Sequence, residues 1–376
     1  MRVRMLRVVI AWFGLTVALL SAPMAAQADD STGVDFDLAR RVAELAKAVP
    51  PAGGAVAAVQ QAGDDADKAA RVELDQAAQA AALDHWTPDN MRSALDGDLL
   101  LAGHTLDSAA DNVDQGVATL VPGVPLPEIG GLDLGGLAGL GGLLGGGGTG
   151  GSTYSNGGAV VATSGKVFFT LDGTDYVCSG SSTAAANRSL VQTAGHCVNE
   201  GPGAFATNFV FVPAYRDGQT PYGTFAARAL QTTGQWSGSG DLSYDVGYAI
   251  VSPVGGRALA DTVGAQGIGF NLARGAQMYA FGYPAEAPYD GSKLAWCSGV
   301  VSADGQGTSD QGMKCNMTGG SSGGPWFLNF NESTGIGTLN SLNSFRYTTF
   351  GLLDSGSMYG PYFGSVIQSL YSSASQ

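Results

Sequence analysis

The spacing of apolar positions predicts helices in the first part of the chain. In residues 36–49 apolar side chains recur at helical intervals, and Pro50-Pro51 ends this predicted helix. Residues 55–84 are rich in alanine and also favour a helix. Thr87-Pro88-Asp89 is typical of a helix start, because threonine can cap, proline suits the first turn and aspartate suits the helix dipole.

From Tyr154 onward the pattern changes to short apolar runs separated by glycine, proline and Asp-Gly pairs. Such runs occur at Lys166–Thr170, Phe209–Val212 and Val246–Val251. Short strands with regular turn signals predict an all-β barrel or sandwich. One helix is predicted after Pro361, because Phe363, Val366, Ile367 and Leu370 fall on one helical face.

Residues 1–28 have the pattern of a secretory signal peptide. Three arginines precede an apolar run from Val8 to Leu20, and the small-residue site Ala26-Gln27-Ala28 follows. A retained membrane anchor is the alternative, but the run is shorter than the ~20 residues of a spanning helix. We therefore expect a secreted, extracellular protein with no stable membrane span after signal removal, in which disulfides are the default state of cysteines.

Composition places the folded core late in the chain. The 376 residues include 18 basic and 32 acidic groups, for a net charge of −14, which argues against a nucleic-acid partner. All four cysteines and 29 of the 33 aromatic residues lie in residues 153–376. This segment therefore has the material for a packed core, whereas residues 29–152 are strongly acidic and poor in aromatic residues.

The region between the signal and the core divides into two parts. Residues 29–121 are interpreted as an acidic, helical prosegment that lies on the downstream domain, and a loosely folded acidic spacer is the alternative. Residues 122–152 contain 14 glycines, which predicts a flexible linker. His85 and His104 have no second ligand nearby in sequence and are interpreted as surface or packing residues.

Three polar residues in residues 153–376 form a candidate catalytic set. His196, the only histidine of this segment, stands in Thr193-Ala194-Gly195-His196-Cys197. Asp245 precedes an apolar run, and Ser322 stands directly before Gly323-Gly324-Pro325. A serine hydroxyl is a weak nucleophile near neutral pH and needs a base within hydrogen-bond reach, which only His196 can supply here.

The motifs around these residues, in the order His, Asp, Ser, resemble those of the trypsin-like serine peptidases of the chymotrypsin fold. The similarity covers residues 153–376 and is nearest the secreted bacterial branch that includes glutamyl endopeptidases. It implies two six-stranded antiparallel β-barrels with a C-terminal helix. It also implies that Asp245 orients His196, with Asp241 as the competing carboxylate, and that Ser322 is the nucleophile, with Ser321 as its neighbour.

The same resemblance implies further roles. The backbone amides of Gly320 and Ser322 would form the oxyanion hole. Ser321 stands where many animal members have an aspartate that pairs with a freed N-terminal amine, so steric cover is the more plausible means of inhibition by a prosegment.

The family's bridge beside the catalytic histidine implies the pair Cys178–Cys197, which leaves Cys297–Cys315. By sequence alone, four cysteines allow three pairings. Their spacing is not that of a zinc site, so no metal and no cofactor are expected.

Substrate contacts are predicted at two positions. Asn316 lies six residues before the nucleophile, where trypsin has its selective acid, and Ser341 to Asn343 are expected to form a strand that pairs with substrate. Glutamyl endopeptidases use a pocket histidine, and no histidine follows His196. Trp326 and Phe327 are expected in the core.

The predicted function is that of a secreted serine endopeptidase acting on peptide or protein substrates through an acyl-enzyme, as a monomer. A protease-like binding or adhesion module is the alternative from another class. An esterase using the same triad is a third possibility.

Overall fold

The computed structural model describes residues 69–103, 116–126, 149–349, 352–353 and 356–376. The predicted signal peptide, the predicted helix in residues 36–49 and His104 lie outside the described residues. Within the described ranges no helix has the length and apolar character needed to cross a membrane.

The helices are α1 (Gln76–His85), α2 (Pro88–Ser93), α3 (Ala159–Thr163), α4 (Gly234–Ser239), α5 (Leu259–Val263) and α6 (Ser365–Ala374). Short 3-10 helices span Gly97–Gly103, Gly195–Cys197 and Leu242–Tyr244. The strands of the first half are β1 (Ala70–Glu73), β2 (Leu95–Asp96), β3 (Thr119–Val121), β4 (Ser152–Thr153), β5 (Ser164–Leu171), β6 (Thr174–Thr183), β7 (Leu190–Thr193), β8 (Thr207–Pro213), β9 (Phe225–Thr232) and β10 (Gly247–Val251). The later strands are β11 (Gly267–Phe270), β12 (Gln277–Gly282), β13 (Ala295–Val300), β14 (Ser302–Ala303), β15 (Gln311–Lys314), β16 (Pro325–Asn331), β17 (Ile336–Leu342), β18 (Thr348–Thr349), β19 (Leu352–Leu353) and β20 (Ser357–Gly360).

Six antiparallel strands close into a barrel in the order β9, β10, β7, β6, β5, β8, because β8 also pairs with β9. The hairpin between β5 and β6 turns at Asp172-Gly173, where both residues have positive φ, as the tightest hairpin turns require. The three apolar runs predicted as strands lie in β5, β8 and β10. The barrel positions the histidine and aspartate of the candidate site at the ends of β7 and β10.

The second half is also built of strands. Its seven-stranded sheet has the order β3, β11, β17, β16, β12, β13, β4, and a three-stranded sheet of β14, β15 and β20 adjoins it. The chain ends in α6, which buries Ile367, Leu370, Tyr371 and Ala374 on one face. The predicted all-β class with a C-terminal helix is confirmed, and Trp326 and Phe327 are fully buried in this half.

Residues 69–103, here called the upstream segment, pack on the first barrel. β1 pairs antiparallel with β9, with Val72 opposite Leu230, and β2 pairs parallel with β6. Trp86 is 5% exposed, its ring centroid is 5.3 Å from that of Phe168, and its indole N–H donates to the carbonyl of Asn208. Every residue of β5 is buried, and this contact covers the outward side chain of Phe168.

Local sequence signals explain the helices of the upstream segment only in part. Thr87 caps α2 by accepting a hydrogen bond from the Asn90 amide, which confirms the predicted helix start. Asp75 caps α1 in the same way. The alanine-rich stretch of residues 55–84 is predicted as a helix, but Ala70–Glu73 within it form the strand β1. The chain is extended there because it pairs with β9 of the barrel. Nε2 of His85 lies 2.8 Å from Oδ2 of Asp175 in the barrel, so His85 has a packing role.

The ends of the predicted linker, residues 122–152, are paired with the sheets. Val124 forms a β-bridge with Ala265, and β4 pairs with β13. Residues 127–148, which carry most of the glycines, lie outside the described residues.

Because Trp86 joins the upstream segment to the barrel, Trp86→Ala should weaken this docking. Truncation of a buried tryptophan typically costs about 3–5 kcal/mol, through lost burial and the cavity left behind. In a Ser322→Ala background, which prevents self-cleavage by the predicted nucleophile, an added protease of broad specificity should digest the upstream segment faster. Leu83→Ala on α1 is the matched control, because Leu83 is 48% exposed. Equal digestion of both variants would contradict the docking role of Trp86.

Candidate active site

His196 lies in the short 3-10 helix that follows β7, and its side chain is fully buried. Its Nδ1 is 2.8 Å from Oδ2 of Asp245, and its backbone amide donates to Oδ1 of the same carboxylate at 2.8 Å. Gly195 permits this close approach, because a Cβ there would lie 2.8 Å from Asp245 Oδ1 and 2.9 Å from the Trp236 ring. The carboxylate therefore holds both the ring and the backbone of the histidine.

Asp245 ends the 3-10 helix before β10 and is fully buried. Ser344 also donates its hydroxyl to Asp245 Oδ2, at 2.5 Å. Burial raises the pKa of Asp245, but the charge of His196 and the hydrogen bonds from His196 and Ser344 outweigh it and lower the pKa. Asp241, the competing carboxylate, instead caps the 3-10 helix by accepting from the Ser243 amide.

The pKa of His196 is set by opposing influences. Burial lowers it, because a charged ring loses its water. The negative charge of Asp245 and its hydrogen bond outweigh this cost, Asp98 adds to their effect, and the net result is a raised pKa. The pair is thus arranged to accept a proton on the ring and to stabilise the imidazolium that forms.

Ser322 lies in a tight turn between the two halves of the molecule. Gly320 and Gly323 have φ of 87° and 79°, which side chains rarely adopt. A Cβ at Gly323 would also collide with the Thr193 hydroxyl and with the carbonyl of Ser179. Only glycine fits there, which is the physical reason for the glycine after the serine.

The two adjacent serines of this turn have different surroundings. Ser321 is fully buried and donates its hydroxyl to the carbonyl of Thr318 at 2.8 Å, which fixes it within the turn. Ser322 donates its hydroxyl to Oδ1 of Asp98 in the upstream segment at 2.6 Å, and it also lies 3.4 Å from the carbonyl oxygen of Ser344.

Ser322 lies beside the short helix that carries His196, because its carbonyl oxygen is 3.9 Å from Sγ of Cys197, but the two catalytic candidates are not hydrogen-bonded to each other. Nε2 of His196 is buried and has no hydrogen-bond partner among the described residues. The hydroxyl of Ser322 is directed to Asp98 instead. The histidine–aspartate part of the predicted triad is therefore formed, and the serine–histidine hydrogen bond is not.

The predicted oxyanion amides, those of Gly320 and Ser322, belong to this same turn. Within the described chain, neither amide donates a hydrogen bond to a backbone carbonyl. The side chain of Asp96, from β2, packs against the turn: a Cβ at Gly319 would lie 2.9 Å from the Asp96 Cβ, and one at Gly320 would lie 3.2 Å from Asp96 Oδ1. The upstream segment thus contacts the turn that carries these amides as well as the hydroxyl of Ser322.

Asp96 stands among other charged groups. Its pKa is raised to about 7 by burial, then by the charges of Asp98 and Glu286 and a hydrogen bond with Glu286, against a lowering influence of Lys166. Lys166 is itself 5% exposed, donates to the carbonyl of Gly291 at 3.2 Å and has its pKa lowered to about 8 by burial. A protonated Asp96 can donate to Glu286, which explains how two carboxyl groups share this space.

Both disulfides of the structure join the implied pairs, Cys178–Cys197 and Cys297–Cys315. The first connects β6 to the turn that carries His196. One group of possible metal ligands lies close together among the described residues, namely Cys178, His196 and Cys197. The two sulfurs are bonded to each other, however, and offer no thiolate to a metal.

The two residues predicted to contact substrate both form hydrogen bonds within the described chain. The side chain of Asn316 is exposed and accepts a hydrogen bond from the Tyr289 hydroxyl at 2.7 Å. Ser341 is fully buried and donates to the carbonyl of Pro361 at 2.8 Å. Neither side chain forms a hydrogen bond with His196, Asp245 or Ser322.

Two residues of the site were not predicted. Ser344 lies one residue beyond Ser341 to Asn343, the stretch predicted to pair with substrate. The serine of the site is therefore three positions after Ser341, the serine that was predicted. Asp98 lies 224 residues before Ser322 and has no motif that distinguishes it from the other acids of its region.

Two of the solved structures that are similar to the chain are proteases from bacteria or other microorganisms. Protease Anisep from Arthrobacter nicotinovorans is 49% identical, with a TM-score of 0.55, and the match covers 60% of this chain and 99% of that one. The thermostable serine protease AL20 from an extremophilic microorganism is 45% identical, with a TM-score of 0.54, over 58% of this chain and 98% of the other. A Glu endopeptidase also matches, but at 16% identity and a TM-score of 0.47 it does not assign the glutamyl branch.

No family model and no curated protein matches the sequence. The high identity over nearly the full length of two solved proteases, one of them a serine protease by name, agrees with the barrel and with the motifs around the site. The chain belongs to the trypsin-like serine proteases.

Proposed function

We propose that this serine protease is a secreted endopeptidase that cleaves peptide bonds through an acyl-enzyme, with Ser322 as nucleophile, His196 as general base and Asp245 as the group that orients it. One observation carries the assignment: the 2.8 Å contact between His196 Nδ1 and Asp245 Oδ2, with both side chains fully buried. This contact fixes the tautomer in which Nε2 is free to accept a proton.

The reaction requires the hydroxyl of Ser322 to turn from Asp98 to His196. Nε2 then takes the hydroxyl proton while Oγ bonds to the substrate carbonyl carbon, and the carbonyl oxygen becomes an oxyanion. The amides of Gly320 and Ser322 would donate to that oxygen, each for about 2.7–4 kcal/mol of transition-state stabilisation. The imidazolium returns the proton to the leaving amine, and a water molecule, activated by the same ring, releases the acyl group.

Export is part of the proposal. The arginine-led apolar run of residues 1–28 and the two disulfides support an extracellular location. We assign residues 29–121 as a prosegment, residues 122–152 as a linker and residues 153–376 as the peptidase domain. The packing of the upstream segment on the barrel supports this division.

A binding module with a protease fold is the second candidate. The hydrogen bond from Ser322 to Asp98, rather than to His196, is the observation that favours it. The module would bind peptides without cleaving them, so loss of cleavage on removal of the Ser322 hydroxyl excludes it.

Replacement of Ser322 by alanine should abolish peptide cleavage. Loss of the nucleophile typically lowers kcat by roughly 10⁴–10⁶-fold, and labelling by a fluorophosphonate should disappear. Ser321→Ala is the matched control, because it removes a neighbouring hydroxyl that is bonded within the turn. Peptide cleavage and labelling are measured on purified protein after removal of the upstream segment. Equal labelling of the wild type and the Ser322→Ala protein would refute the assignment.

Asp245→Asn should lower kcat by about 10⁴-fold, because an amide favours the wrong tautomer of His196. Asp241→Asn tests the competing carboxylate and should keep kcat within about tenfold, since Asp241 caps the 3-10 helix and asparagine is also a good cap. Steady-state kinetics on one peptide substrate separate the two variants. A larger loss in Asp241→Asn than in Asp245→Asn would reverse the roles.

The activity should rise with pH through a value above 6.5, the ordinary pKa of histidine. His196 acts as a base only when neutral, and Asp245 raises its pKa, so a higher pH is needed to deprotonate it. The apparent pKa is taken from kcat/KM on an uncharged peptide. An apparent pKa below 6.5 would show that burial, which lowers the pKa, is the stronger influence.

A further inference from the structure

The hydroxyl of Ser322 has a single proton, and it is hydrogen-bonded to the upstream segment. Oδ1 of Asp98 accepts this hydrogen bond at an O–O distance of 2.6 Å, and a hydrogen bond from a hydroxyl to a carboxylate is stronger than one between neutral groups. The imidazole that must take the proton in catalysis has a buried Nε2 without a partner among the described residues. Asp98 and His196 therefore compete for the same proton.

We propose that the upstream segment is an intramolecular inhibitor and that Asp98 is its inhibitory group, which holds the Ser322 hydroxyl away from His196. The proposal rests on the proposed role of Ser322 as nucleophile. It names a chemical means of inhibition, a carboxylate on the nucleophile, in addition to steric cover.

The path of the chain around Gly97 supports this assignment. β2 pairs in parallel with β6, with Leu95 opposite Tyr176, which brings the segment to the barrel edge beside the disulfide Cys178–Cys197. A Cβ at Gly97 would lie 2.5 Å from Sγ of Cys178, so glycine allows the chain to lie directly on the disulfide. The next residue, Asp98, reaches Ser322 from this position.

The segment acts on three parts of the catalytic machinery. Asp98 binds the nucleophile, and its charge contributes to the raised pKa of His196, which favours the protonated ring that cannot act as a base. Asp96 covers the turn at Gly320, whose amide is assigned to the oxyanion hole. Both acids of the segment therefore lie against the turn that carries the nucleophile and this amide.

The contacts that hold the segment are separate from the contact that inhibits. β1 adds to the edge of the barrel at β9, and Trp86 and His85 bind the barrel on other strands. Removal of the Asp98 charge should therefore leave the segment docked. This separation makes the role of Asp98 testable without removing the segment.

The test compares intact and cleaved chains in one sample. The chain without its signal peptide is treated with a small fluorescent fluorophosphonate, and the labelling rates of the intact and cleaved bands are read separately on a denaturing gel. Asp98→Asn keeps the side-chain shape and removes the charge. Asp84→Asn is the matched control, because Asp84 is exposed in the same segment.

We expect the intact wild-type band to label at least tenfold more slowly than the cleaved band. Asp98→Asn should raise the rate of the intact band at least tenfold, and Asp84→Asn should not change it. Hydrogen exchange should stay slow in Asp98→Asn at the amides of Val72 and Leu74, which face β9, and the Leu74 amide donates to the carbonyl of Arg228 at 2.8 Å. Slow exchange there would show that the segment remains docked.

Three results would overturn the proposal. The intact Asp98→Asn band could label as slowly as the wild type, or the intact wild-type band could label as fast as the cleaved one. Faster labelling accompanied by loss of protection in β1 would mean that the variant undocks the segment. Failure of the proposed function is distinct, because the cleaved wild-type band would then remain unlabelled, and this would remove the inhibitory role as well.

Discussion

The buried contact between His196 and Asp245 is the interaction on which the rest of the site depends. Two groups that can carry charge are taken out of water, and such burial is favourable only when hydrogen bonds satisfy both partners. The Asp245 carboxylate accepts hydrogen bonds from the ring and from the backbone amide of His196, and it accepts a third from the hydroxyl of Ser344. Loss of any of these donors would leave a buried charge less well compensated.

The carboxylate of Asp245 also connects the two halves of the molecule, through its hydrogen bond with Ser344. His196 and Asp245 come from turns of the first barrel, whereas Ser344 and Ser322 come from the second half. The hydrogen bond from Ser344 to Asp245 therefore aligns the halves at the proposed catalytic site. Gly323 allows the backbones of the two halves to approach closely enough, because a Cβ there would lie 2.4 Å from the Ser179 carbonyl oxygen and 2.7 Å from the Ala194 nitrogen.

The sequence predicted the parts of the site that are marked by local motifs. The surroundings of His196 and Ser322 are constrained by backbone geometry, so their residue types are characteristic and could be recognised. Asn316 was assigned as a substrate contact by counting back from the nucleophile, and its exposed side chain accepts a hydrogen bond from Tyr289. Counting along a chain does not determine the direction of a side chain, which depends on pairing and register.

Long-range pairing explains the other differences. β1 lies in an alanine-rich stretch that favours a helix by composition, and it is extended because the barrel edge offers backbone partners. Asp98 could not be distinguished from other acids, because its role depends on a fold that places it next to Ser322. The class of the fold depends on repeated local patterns, and these were sufficient to predict it.

The upstream segment and the domain that it covers are parts of one chain, and this has a consequence for the concentration dependence of their association. A tethered partner is present at an effective concentration of roughly millimolar for a short flexible connection, whatever the concentration of the protein. A single cut between the two parts changes a unimolecular equilibrium into a bimolecular one. Dilution then separates the parts, so the connection, and not only the contacts, determines how long each molecule keeps its segment.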